Sequence, residues 1–107
     1  MTGMGFTVRL YAPDGATPGA QARAERRFAQ ALVDSLGDPA LVWPVFAAAR
    51  ALTERYGDEP DPHALTEDEF LLLSQWQAAE AAAREAVFGP HRHLEEGGYE
   101  IHPEGDA

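Results

Sequence analysis

Thr66-Glu67-Asp68-Glu69 is followed by nineteen residues without Gly or Pro, up to Gly89-Pro90. A Thr side chain can accept the third residue's N–H while Glu69 reaches back to the Thr N–H, a reciprocal capping box. The acids in that first turn also suit the positive end of a helix dipole. Gly-Pro is a stop signal, so the spacing predicts one helix from about 67 to 88. Twenty-two residues at 1.5 Å each make a rod of about 33 Å, longer than any other element a chain of 107 residues needs. Leu72, Leu73, Trp76, Ala79, Ala83 and Val87 form its apolar stripe, and the small Ala residues let a neighbouring helix approach closely.

The remaining elements are arranged around that rod. Residues 5–12 alternate, with Phe6, Val8 and Leu10 on one face and Thr7, Arg9 and Tyr11 on the other, which reads as a half-buried strand. Pro13, Asp14, Gly15, Pro18 and Gly19 read as a loop. A helix is expected over 20–36, its inner face Ala24, Phe28, Leu32 and Leu36 with Ala31 beside them, opposite Arg23, Arg26, Arg27, Gln30 and Asp34. Gly37 stops it. Asp38-Pro39 looks like a cap and first helical position. Pro44 would cost a continuing helix about 3 kcal/mol, so the reading is a short turn at 39–43 and a helix from Pro44 to Tyr56. Its inner face is Val45 or Phe46, Ala49, Leu52 and Tyr56.

Gly97-Gly98 is a two-residue hairpin signal. In that register Glu96 faces Tyr99, Glu95 faces Glu100, Leu94 faces Ile101 and His93 faces His102; a turn at Glu96-Gly97 pairs His93 with Glu100 and His91 with His102 instead. A lone hairpin is marginal in water, so the N-terminal strand is expected to join it. The fold class is therefore α+β: a three-helix core packed on a small antiparallel sheet, in the order β-α-α-α-β-β. One domain spans 1–107, with its core at about 5–102 and flexible tails at 1–4 and 103–107.

Composition narrows the chemistry. There is no Cys, so disulfides, thiol nucleophiles and Cys-type zinc sites are excluded. There is no Lys, which removes Schiff-base chemistry and a phosphate-loop lysine. Ser35 and Ser74 stand in no GxSxG turn, and Gly3 and Gly5 precede the first strand instead of following it. No apolar run approaches the roughly 20 residues of a membrane helix, and the N-terminus lacks the features of a signal peptide, so a bacterial cytoplasmic location is expected. The absence of Lys and Asn, with Ile101 the single Ile, fits GC-rich coding.

The net charge of −10 is one-sided: residues 1–54 hold five Arg and five acids, whereas residues 55–107 hold three Arg and thirteen acids. Such a field repels nucleic acid and anionic lipid, and attracts a basic protein surface. It also keeps a small protein in solution whatever its role. The leading expectation is a non-enzymatic interaction module whose acidic surface, Asp58, Glu59, Asp61, Glu67, Asp68, Glu95, Glu96 and Glu100, faces a basic site. Inhibitors that mimic nucleic acid, of the anti-CRISPR or immunity-protein kind, share this charge and size. The alternative is a divalent-metal site, zinc for example, on the C-terminal hairpin. His91, His93, His102, Glu95 and Glu100 would be its ligands, since imidazole and carboxylate suit such ions and a cation would relieve two opposed carboxylates. The third reading is a homodimer or accessory subunit assembled through an open sheet edge or the Ala-rich face of the last helix. Trp43 and Trp76 read as core anchors, and the Arg23, Arg26, Arg27 cluster as a solvated face. His63 lies in the acidic loop 57–65 and reads as a solvated side chain.

Overall fold

The computed structural model describes residues 5–10, 17–88 and 98–103. Strand β1 (Phe6–Leu10) leads into helices α1 (Pro18–Leu36), α2 (Pro39–Tyr56) and α3 (Glu67–Phe88), and strand β2 (Tyr99–Pro103) returns to β1. The expected α+β architecture is present among these residues in the order β-α-α-α-β. The other arm of the hairpin, 93–96, lies outside the described residues.

Local capping accounts for the helix boundaries. Thr17 caps α1 through the Ala20 N–H, and Gly37 ends it at a φ of 89°, a left-handed conformation that a side chain would strain. Asp38 caps α2 through the Ala40 N–H at 2.9 Å. The capping box of α3 is reciprocal, with Glu69 N–H on Thr66 Oγ1 at 3.1 Å and Thr66 N–H on Glu69 Oε1 at 2.9 Å.

The turn expected at 39–43 is not formed. Helix α2 starts at Pro39 and runs through Pro44 to Tyr56. Pro44 leaves the Ala40 carbonyl without its helical donor, but both residues are exposed, so the carbonyl is open to solvent. Continuity brings Val42 fully into the core beside Val45 and Ala49, one turn earlier than the broken-helix reading allows.

Helix α3 packs chiefly on α1. Ala79 and Ala83 are fully buried there, among Phe28, Leu32, Leu73 and Val87. The face carrying Ala79 and Ala83 is thus covered within the chain, whereas Ala78, Ala81 and Ala82 of the same helix are exposed. Trp76 is buried and Trp43 half-buried; Phe46 lies between them, its ring 5.8 Å from Trp43 and 5.2 Å from Trp76.

The strands pair antiparallel, with Phe6 opposite Pro103, Val8 opposite Ile101 and Leu10 opposite Tyr99. β2 therefore extends one residue further than expected, to Pro103. Phe6, Val8, Leu10 and Ile101 face the helices and are buried. The Leu10 N–H donates to Glu25 Oε2 at 2.9 Å and the Leu10 carbonyl accepts from Gln21 Nε2 at 2.6 Å. Leu10 thus spends its backbone groups on α1, away from β2. Because an antiparallel ladder alternates, Val8 and Phe6 also point theirs outward, and Pro103, which has no N–H, sits at a position where none is needed. Gln21 and Glu25 cap one end of this edge.

Pro44 gives a direct test of α2. Pro44→Ala should stabilise the protein by about 2 kcal/mol in urea unfolding, the helix-interior penalty less the entropy Pro removes from the unfolded chain. A helix that began at Pro44 would gain nothing from the change.

Candidate functional site

The corner between α2 and α3 is built from short-range signals. Gly57 closes α2 at a φ of 99°. Asp61 accepts the His63 N–H at 2.9 Å and starts a single 3-10 turn, Pro62–Ala64, and then the Thr66 box opens α3. Pro60 and Pro62 stiffen the passage between helices. Asp58, Glu59, Asp61, Glu67 and Asp68 are all exposed around this corner.

A pocket of 230 Å³ opens at the same place, lined by Asp58, Glu59, Pro60, Pro62, Leu65, Phe70, Leu73, Ser74 and Gln77. Leu73 belongs to the core and Leu65 packs against it, so the floor is apolar, and the two carboxylates stand on the rim. Phe70 is 45% exposed and Leu71 beside it 57% exposed. Four consecutive apolar residues, Phe70 to Leu73, sweep about 300° of helix at 100° per residue, whereas the face turned to a core is little more than 100° wide. Two of the four must therefore face water; Leu72 and Leu73 turn inward and Phe70 and Leu71 do not. That run of four apolar residues is the sequence signal for the pocket, and periodicity alone does not single out Phe70 and Leu71.

Charge is distributed by use. Among the described acids, Glu25 takes the Leu10 N–H, Asp34 accepts from Gln30, Asp38, Asp61 and Glu69 cap turns, Glu54 pairs with Arg50, Glu80 meets Arg84 and Tyr99, and Glu100 meets His102. Asp58, Glu59, Glu67, Asp68 and Glu85 have no hydrogen-bond or ion-pair partner among the described residues, and four of these five belong to the corner. The nearest cation in sequence, Arg55, lies over the Tyr56 ring at 5.2 Å.

The C-terminal candidates divide differently. His102 Nε2 lies 2.9 Å from Glu100 Oε1 on the exposed sheet face, and Arg9 stands opposite Glu100 in the strand register. Glu100 therefore has a cation across from it on β1. His91, His93, Glu95 and Glu96 lie outside the described residues, and no group of three metal-ligating side chains converges among the described ones. Glu100 is also remote from the corner: its neighbour Tyr99 docks at Glu80, ten residues or about 15 Å along α3 from Phe70.

That docking is a polar staple which sequence reading did not reveal. The Tyr99 hydroxyl donates to Glu80 Oε2, the Arg84 guanidinium lies 5.7 Å above the Tyr99 ring and 3.7 Å from the Glu80 carboxylate, and the Phe28 ring is 4.8 Å away. Burial first, then the hydrogen bond to Glu80 and its charge, push the Tyr99 pKa well above its ordinary value, against smaller opposing effects of Arg84 and Trp76.

The chain matches no family model, and no curated protein or solved structure is similar to it.

The staple predicts an alkaline limit. A phenol held neutral in the fold binds its proton more tightly than in the unfolded chain, so its contribution is complete below about pH 10 and is lost as pH rises beyond that. Tyr99→Phe should cost about 1–3 kcal/mol at neutral pH, through the lost bond to a charged group. It should also flatten the fall in stability above pH 10, measured by denaturant unfolding across pH 8–11.5.

Proposed function

We propose that this protein is a small, non-enzymatic interaction module that binds another macromolecule by presenting the α2–α3 corner to a basic site. The observation that carries this reading is the coincidence of three features there: carboxylates without a partner among the described residues, a pocket with an apolar floor, and exposed Phe70 and Leu71. Charge alone speaks to solubility. Asp58 and Glu59, which have no partner among the described residues and are gathered with apolar surface, have the make-up of a protein interface, an apolar centre with a polar rim. The partner is a protein, because the negative field opposes nucleic acid and anionic lipid. By charge and size the module resembles inhibitors that occupy a basic, nucleic-acid-binding groove. Its carboxylates would stand in for phosphates, while Phe70 and Leu71 add contacts a phosphate chain lacks.

The reading is tested with a fluorescent peptide of mixed Lys and Arg as the basic probe, followed by anisotropy. Two variants lose four negative charges each: one at the corner (D58N, E59Q, E67Q, D68N) and one spread elsewhere (D34N, E54Q, E85Q, E100Q). The corner variant should weaken binding by about tenfold or more and the dispersed variant by about twofold at most, with both effects shrinking in high salt. Equal losses would mean that net charge alone governs binding and would remove the corner as a site.

A further inference from the structure

We infer that the corner pocket accepts one arginine side chain presented by the protein partner, with the guanidinium between Asp58 and Glu59 and its face against Phe70. This rests on the interaction-module reading and names the group that the module recognises. The pocket's two kinds of wall select the occupant. Pro60, Pro62, Leu65 and Leu73 offer an apolar lining for an aliphatic stem, and the rim offers two carboxylates without partners among the described residues. A fatty or aromatic side chain would leave Asp58 and Glu59 facing apolar surface without compensation. An anionic or neutral polar group would be repelled by them or leave the lining unsatisfied.

Lysine meets the charge requirement but not the geometry. Its ammonium is a compact, strongly hydrated point charge, whereas the guanidinium is planar, donates in a fork that matches carboxylates and stacks on aromatic faces. Phe70, 45% exposed at the pocket wall, supplies such a face, and cation–π contact favours Arg over Lys. Ser74 and Gln77, one and two turns along α3 from Phe70, add hydroxyl and amide acceptors at the far side.

The test is an NMR titration of the ¹⁵N-labelled full chain with two blocked tripeptides, acetyl-Gly-Arg-Gly-amide and its Lys counterpart. The Arg probe should shift the amides of Phe70, Ser74 and Gln77 and bind at least about threefold tighter than the Lys probe. Phe70→Ala should abolish that preference, and Glu59→Gln should weaken both probes while leaving the preference in place. An unchanged spectrum outside these positions confirms that each variant is folded. Equal binding of both probes, indifferent to Phe70→Ala, would overturn the arginine pocket while leaving the acidic-surface reading intact. No shift at the corner, with the mixed basic peptide also failing to distinguish the two charge variants, would overturn both. A dimer by sedimentation velocity that Arg26→Gln disperses would assign the pocket to a second copy of this chain and overturn the partner assignment.

Discussion

The close approach of α1 to α3 is the constraint on which the other elements depend. It is made by absence: Ala79 and Ala83 carry nothing beyond Cβ, and they are wholly buried in α3 as Phe28 and Leu32 are in α1. Interiors are packed at crystal-like density, and a larger residue at either Ala would force the helices apart. Once the two helices are locked, α1 also presents Gln21 and Glu25 to the end of β1, and α3 presents Glu80 and Arg84 to β2.

That second consequence explains how so small a sheet persists. Two strands alone are marginal in water. Here they are held from beneath by Phe6, Val8, Leu10 and Ile101 in the common core, and at one end, where Leu10 lies opposite Tyr99, by side chains of two helices. Each strand meets a carboxylate there, β1 through the Leu10 N–H on Glu25 and β2 through the Tyr99 phenol on Glu80. Hydrogen bonds to charged groups are stronger than neutral ones, and leaving either partner unpaired would carry a desolvation cost. Part of the acidic excess is therefore structural, and the composition of the chain alone could not have distinguished that part from the rest.

Among the described residues, the acids without a hydrogen-bond or ion-pair partner lie mostly at the α2–α3 corner. Glu67 and Asp68 serve the N-terminal dipole of α3, whereas Asp58 and Glu59 have no partner among the described residues and an exposed ion pair would add little stability there. Their neighbours are apolar residues that the helix geometry cannot bury, which is why charge and exposed hydrophobic surface coincide there.

Local order was determined by the sequence by itself. The Thr66–Glu69 box, the Asp38 and Gly37 caps and the alternation of β1 each act within three or four residues, and a signal of that range needs no knowledge of the rest of the chain. The placement of the N-terminal strand against β2 followed from the marginality of a lone hairpin. The acids of the corner were legible as charge, since exposure is the default for Asp and Glu. Three things were decided only by tertiary structure. Helix α2 runs through Pro44 because burial of Val42 and a solvent-facing gap outweigh a local penalty. Phe70 faces out while Leu73 faces in because the direction of the core selects among four apolar neighbours. Tyr99 meets Glu80 across 19 residues, a pairing that no local pattern announces, because it exists only when α3 and β2 have both been positioned by the core between them.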